Sequence, residues 1–299
     1  MKTILIAIIA VIFSQNVQAQ STLWDNIKIR KDFETGTNDD DKAASLSFTF
    51  PKDKSNYFMV NAGIGYQYDN ISGDHTMFKN SITGFFAYNR NNQIDKEQNN
   101  FKTGISNGMT FFTDNEQQTA LFGSNTLEYL NDHSEDSQSV AVTSYWYPFS
   151  KKKEFVKLGG YAAEEHLFAY YFLPTAGFEY QNKFEAAIPE SNGYHVRGYF
   201  GLGAHLLLKK PPANHKKEPV PKSFWSKGME LSVKYEARTN LFNNVDNTDS
   251  YIPMFTGDLS IYPTQDNKFS IGLSYTNGAN PINGLEKQTF WLLAIKFKK

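Results

Sequence analysis

Between Met229 and Leu241 the chain alternates. Met229, Leu231, Val233, Tyr235, Ala237 and Leu241 fall on one side, and Glu230, Ser232, Lys234, Glu236, Arg238 and Asn240 on the other. A period of two separates these sets, whereas a helix of about 3.6 residues per turn would mix them. The same pattern sets Phe269, Ile271, Leu273 and Tyr275 against Lys268, Ser270, Gly272, Ser274 and Thr276. In 195–208, Val196, Phe200, Leu202, Ala204, Leu206 and Leu208 oppose His195, Arg197, Tyr199, Gly201, Gly203 and His205. Tyr57 to Tyr68 and Leu46 to Phe50 alternate likewise.

Weaker alternation predicts further strands over 78–90, 101–113, 118–130, 138–147, 154–163, 167–181, 252–262 and 289–298, with 23–33 as a possible first strand. The joins are rich in Asn, Asp, Gly and Pro, as at Asn70–Asp74, Asn243–Ser250 and Asn277–Gly284. No stretch has the helical period and length that a βαβ crossover needs, so the pattern predicts an all-β chain with antiparallel strands. No shift in composition divides residues 20–299 into two domains.

The start of the chain breaks the pattern. Met1-Lys2 precedes an apolar run, Ile4 to Phe13, and then Val17-Gln18-Ala19. A basic start, a short greasy stretch and a small residue are the parts of a cleaved export signal. Residues 1–19 are therefore expected to be a signal peptide, with Gln20 as the mature terminus. No Cys follows to carry a lipid anchor, and no later apolar run approaches the roughly 20 residues of a membrane helix.

Alternation alone leaves open which face is buried. A soluble sandwich turns its apolar face inward, while an outer-membrane barrel turns it out to lipid and keeps polar groups inside. The best strands reach beyond the 5–6 residues usual in soluble proteins, towards the roughly 9–11 of a tilted membrane strand. Aromatic residues crowd strand ends: Tyr145-Trp146-Tyr147, Phe111-Phe112, Tyr262 and Phe290-Trp291. Glu, Lys, Arg and His sit in mid-strand, where a dry soluble core would exclude them. Strands with no helices to cover them must close on themselves to pair their backbones. The expectation is a closed antiparallel transmembrane β-barrel of about 12 strands, with 14 as the alternative, because even parity rules out the odd count obtained from 44–50 onward.

Composition narrows the chemistry. The chain has 299 residues, 30 Lys+Arg against 31 Asp+Glu, and a net charge of -1. That balance argues against nucleic acid as a partner. With Cys at 0, thiolate metal sites and cysteine catalysis are excluded. Twenty-five Phe, 17 Tyr and 4 Trp are too many for a disordered chain.

The export signal, the repeated aromatic strands and the last strand, Thr289-Phe290-Trp291-Leu292-Leu293-Ala294-Ile295-Lys296-Phe297, give the chain a general resemblance to Gram-negative outer-membrane β-barrels, porin-like in pattern. The resemblance implies residence in the cell outer membrane, contact with its lipid including lipopolysaccharide, and handling by the barrel-assembly machinery. Members of that class commonly end on an aromatic residue; here Lys298-Lys299 follow Phe297.

Candidate chemistry is sparse. Arg197, His205, Glu230, Lys234, Glu236 and Arg238 share one predicted face of neighbouring strands and are the expected lumen lining. Such a set either neutralises itself and plugs the lumen or lines a narrow aqueous path. Inward glycines, Gly63, Gly65, Gly201, Gly203 and Gly272, would free volume and favour a pore for small hydrophilic solutes. A non-conducting structural or adhesive barrel and a soluble secreted β protein are the other readings without catalysis.

Gly104-Ile105-Ser106-Asn107-Gly108 is similar to the motif of the outer-membrane phospholipase A family, but Gly104 stands where that family has its His. A serine without a base is not activated, so no catalytic residue, enzyme activity or cofactor is expected, and an outer-membrane lipid hydrolase of the phospholipase A type stands as an alternative reading. No metal is expected either, because Asp39-Asp40-Asp41, the Asp246/Asp249 pair and the six His lack a ligand spacing. The Lys- and Pro-rich segment Lys209 to Lys227 reads as a strand connection, either solvated or suited to lipopolysaccharide phosphates or other anions.

Overall fold

The computed structural model describes residues 24, 26–30, 33, 44–49, 57–70, 77–92, 98–114, 116–150, 152, 158, 168–210, 226–245, 249–264, 269–283 and 285–297. The expected signal peptide 1–19, the Asp39–Asp41 run, His75, Glu164–His166 and His215 lie outside them.

In chain order the strands are β1 (Ile27–Arg30), β2 (Ala44–Thr49), β3 (Tyr57–Asn70), β4 (Phe78–Asn91), β5 (Gln98–Phe112), β6 (Thr119–Asp132), β7 (Ser137–Ser150), β8 (Phe168–Glu185), β9 (Gly193–Lys210), β10 (Ser226–Asn243), β11 (Tyr251–Ile261), β12 (Phe269–Asn280) and β13 (Leu285–Phe297). Each strand from β3 to β13 pairs antiparallel with the next. β13 pairs back onto β2 and β2 onto β3, closing a barrel of 12 strands.

β1 is a correction to the sequence parse, in which 23–33 could stand as an extra strand. It pairs with β3 at Gly63–Tyr66, directly below the Tyr57–Asn61 stretch that β2 occupies. Together β1 and β2 make one barrel position interrupted by residues 31–43. From that interruption Phe33 is buried, its ring stacked on Phe85 at 4.9 Å. The expected strand at 154–163 falls almost wholly outside the described residues. Leu158, which is described, makes only single bridges to Ser150 and Phe172. Removing that segment restores even parity and sets the connections after β7 and after β11 on the same rim.

That rim is the one on which β13 ends. It also carries the two longest connections, 151–167 and 211–225. The opposite rim carries shorter ones, such as 133–136 and 281–284. Barrels of the outer-membrane class ordinarily put short turns on the side of their chain ends, so this chain departs from them in loop distribution.

The wall is apolar outside and polar inside. Val233 is 41% exposed and Leu273 43%, and Ile64, Ile105, Leu127, Phe200 and Leu293 share their outward face. Inward neighbours such as Glu179, Arg238, Glu128 and Thr143 are almost fully buried. An outward apolar surface running round the barrel far exceeds the patch of a few hundred Å² that a water-soluble protein tolerates. Exposed aromatics mark both rims: Tyr68, Phe111 and Phe168 at the rim of β13's end, and Phe184, Tyr194 and Phe242 at the other. Of the aromatic doublets in the sequence, only alternate members face out. Trp291 is exposed, whereas Phe290, Tyr145 and Tyr262 turn inward, because adjacent residues of a strand point to opposite faces.

This orientation makes Val233→Arg informative. A cation placed on the hydrocarbon-facing side near mid-strand is expected to destabilise the barrel by about 2–4 kcal/mol, read as a shift in its urea folding titration in lipid vesicles. An unchanged midpoint would mean that this face meets water.

Candidate functional site: a charged layer on one side of the lumen

The three longest strands, β8, β9 and β10, of 18 residues each, build one side of the interior. Their registers set Glu179 opposite Arg197, Gly177 opposite Tyr199, and Tyr199 opposite Arg238. Arg238 reaches past β9 to Glu179, its Nε donating to Oε1 at 2.9 Å and Oε2 at 3.1 Å. On the way its guanidinium lies over the Tyr199 ring, 5.1 Å from the centroid. Side-chain exposure across this ion pair is 1% and 0%.

Tyrosines complete the layer. The Tyr145 hydroxyl donates to Glu179 Oε1 at 2.6 Å, and the Tyr199 hydroxyl to Glu236 Oε1 at 2.5 Å. Their rings meet with centroids 4.6 Å apart, although one comes from β7 and the other from β9. They meet because the residue between them in register is Gly177, where an added Cβ would lie 2.8 Å from the Tyr145 ring. Lys234 pairs with Glu236 at 3.0 Å and keeps 20% of its side chain exposed. Arg197 donates from Nη1 to Gln181 Oε1 at 3.2 Å, while its Nε has no hydrogen-bond partner.

A second cluster lies nearer the rim where β13 ends. Glu230 accepts from Lys227 Nζ at 3.0 Å and from the Tyr262 hydroxyl at 3.0 Å, and its Oε1 lies 3.0 Å from His205 Nδ1. Tyr171, opposite His205 in register, stacks on it at 4.4 Å. On the far wall Lys102 and Glu128 form a buried pair at 3.0 Å, and Lys296 pairs with Asp258 at 2.9 Å.

All six residues read from the sequence as lumen lining thus point inward. Arg197, Glu236 and Arg238 join one layer with Lys234, and His205 and Glu230 join the other. Glu179, Tyr171, Lys102 and Glu128 were not singled out in the sequence, Tyr199 stood only within an alternating run, and Tyr145 and Tyr262 were expected among the aromatics of the strand ends. Glu179 carried a usable signal, since parity from the buried Tyr171 and Thr175 leads to it. Aromatics on both faces of Phe168–Leu173 obscure that parity.

Three of the inward glycines lie against neighbouring side chains. A Cβ on Gly65 would lie 2.5 Å from the Phe33 ring, one on Gly201 2.8 Å from the Tyr199 hydroxyl, and one on Gly203 3.3 Å from His205. The space they leave is taken by neighbouring side chains.

Ser106 also faces inward. It is 3% exposed and accepts a bond from Thr126 Oγ1 at 3.2 Å. His133 N bonds Asn99 O at the strand end, and Asn99 lies seven residues from Ser106 along β5, roughly 23 Å by strand rise. Among the described residues no group of His, Cys, Asp and Glu could hold a metal ion.

No protein-family profile matches the chain, and no curated protein does either. Among solved structures, a chain from work on the in-meso crystallisation of membrane proteins is similar over 86% of this chain and 83% of its own, at 11% identity and a TM-score of 0.39.

The layer's energetics are open to test. Removing one partner of a buried ion pair leaves a charge without compensation and costs about 3–5 kcal/mol, whereas replacing both with apolar groups is far milder. Arg238→Met alone is therefore expected to destabilise the folded barrel strongly. Arg238→Met with Glu179→Gln should recover part of the loss, although Arg197 is then left beside a neutral amide. Equal midpoints for the single and double variants in urea titrations would show that the pair is not coupled.

Proposed function

We propose that the protein is an outer-membrane β-barrel that binds small hydrophilic solutes within its lumen, and that the lumen is closed at mid-height in this conformation. The outward apolar surface and its aromatic rims support the membrane setting. The Arg238–Glu179 pair carries the closure: side chains lining an open aqueous channel would be wetted, and these are 1% and 0% exposed. Solutes would meet charged groups from either mouth, and passage would require the layer to part.

Outward residues supply the contact with membrane lipid. With chain ends in the periplasm, as barrels of this class have them, Lys209 and Lys227 lie on the periplasmic rim, away from the lipopolysaccharide leaflet. The buried, inward Ser106 gives no support to hydrolysis of membrane lipid.

Planar-bilayer recording tests the closure. Wild-type protein is expected to stay silent or to open rarely, and Arg238→Ala with Glu179→Ala to give stable current steps. A steady porin-like current from wild type would overturn the closure. Silence from the folded double variant would remove passage and leave a structural anchor.

A further inference from the structure

The charged layer does not neutralise itself completely. Three cations, Arg197, Arg238 and Lys234, share it with two carboxylates, Glu179 and Glu236. Arg238 takes both oxygens of Glu179, and Lys234 takes Glu236. Arg197 is the direct cross-strand partner of Glu179, yet among the described residues it makes no ion pair. It donates instead to the neutral amide oxygen of Gln181, at 3.2 Å. Gln181 is otherwise held by a long bond of 3.5 Å to Ser139 Oγ. A buried cation answered only by a neutral carbonyl is costly, because no opposite charge repays its desolvation.

Hydrogen-bonding capacity is unmet at the same level. Arg197 Nε, Arg238 Nη1 and Thr143 Oγ1 are buried without a partner. The registers put Thr143 and Arg197 on either side of Glu179, and Arg238 reaches into that row from β10. All three groups can donate, and the guanidinium N–H fork matches a planar oxyanion. These atoms meet no solvent, so a ligand reaches them only if a side chain moves. Gln181 stands two residues along β8 towards the rim opposite the end of β13. Burial deepens inward along that line: Lys183 keeps 24% of its side chain exposed, whereas Gln181 is 6% exposed and Glu179 fully buried. His195, opposite Gln181 in register, adds another buried nitrogen without a partner, Nδ1.

We propose that Arg197, with Arg238 and Thr143, binds the carboxylate of a small hydrophilic solute, and that Gln181 holds its place until the solute arrives. This deepens the solute-binding reading above and rests on it. The solute enters by the mouth opposite the end of β13, past Lys183 and His195. Its carboxylate displaces the Gln181 amide from Arg197 and replaces a neutral acceptor with a charged one, which makes the stronger bond. One added negative charge also balances the layer, so a monocarboxylate suits it and a cation does not.

The test compares urea midpoints of the barrel folded in phosphatidylcholine vesicles, in millimolar sodium acetate and in sodium chloride of equal ionic strength. A ligand that binds only the folded state raises stability with the logarithm of its concentration above its Kd. The wild-type midpoint is expected to climb with acetate and not with chloride. Arg197→Gln should lose that response. Gln181→Glu, which supplies the missing carboxylate from the chain itself, should lose it too and should start from a higher midpoint than wild type. This second variant keeps the test decisive if Arg197→Gln fails to fold. Equal midpoints in acetate and chloride, an acetate response that survives Gln181→Glu, or a Gln181→Glu barrel less stable than wild type would each overturn the proposal. No acetate response beside current steps from the Arg238→Ala, Glu179→Ala barrel would overturn the anion site alone. No response and no current together would take the solute-binding reading with it.

Discussion

A wall set in hydrocarbon must satisfy its own backbone, because no water is there to do it. That requirement forces the strands into a ring, with β13 returning to β2 and β2 to β3. Once the ring is closed, the period-two geometry of each strand leaves two faces with opposite demands. The outer face is cheapest when apolar. The inner face, narrow and removed from bulk water, then holds whatever polar groups remain. Charges placed there have to neutralise one another locally. The Glu179–Arg238 and Lys102–Glu128 pairs are consequences of closure as much as features of a site.

The way the charges are satisfied explains residue choices that alternation alone leaves arbitrary. Tyrosine suits the interior because its ring fills volume while its hydroxyl donates to a carboxylate, as Tyr145 does to Glu179 and Tyr199 to Glu236. Such rings span two strands only where the strand between them has no side chain. Gly177 serves Tyr145 and Tyr199 in that way, and Gly65 leaves room for Phe33. Glycine on the inner face therefore measures the reach of its neighbours. It does not by itself measure free bore.

How much was legible in the sequence follows from how cleanly each strand separates its faces. β10 and β12 have polar residues on one side and apolar residues on the other, so orientation, and with it the inward set Glu230, Lys234, Glu236 and Arg238, could be read directly. β8 begins with apolar residues on both sides, from Phe168 to Leu173, and parity there is silent until Thr175 and Glu179. The short β1 was misjudged because local alternation cannot reveal that two segments share one edge of β3. Pairing partners are long-range facts. A composite strand interrupted by residues 31–43 has the same local signal as two strands.

The ambiguity of β8 has a structural meaning. A strand that must be apolar on one face needs no apolar residues on the other unless something apolar lies against it. In β8 the doubly apolar stretch falls within the length over which β7 is no longer its partner, and it ends just short of Pro174. There Leu158 bridges to both Ser150 and Phe172, and on the inner face Phe122 packs against Tyr147 and Phe149.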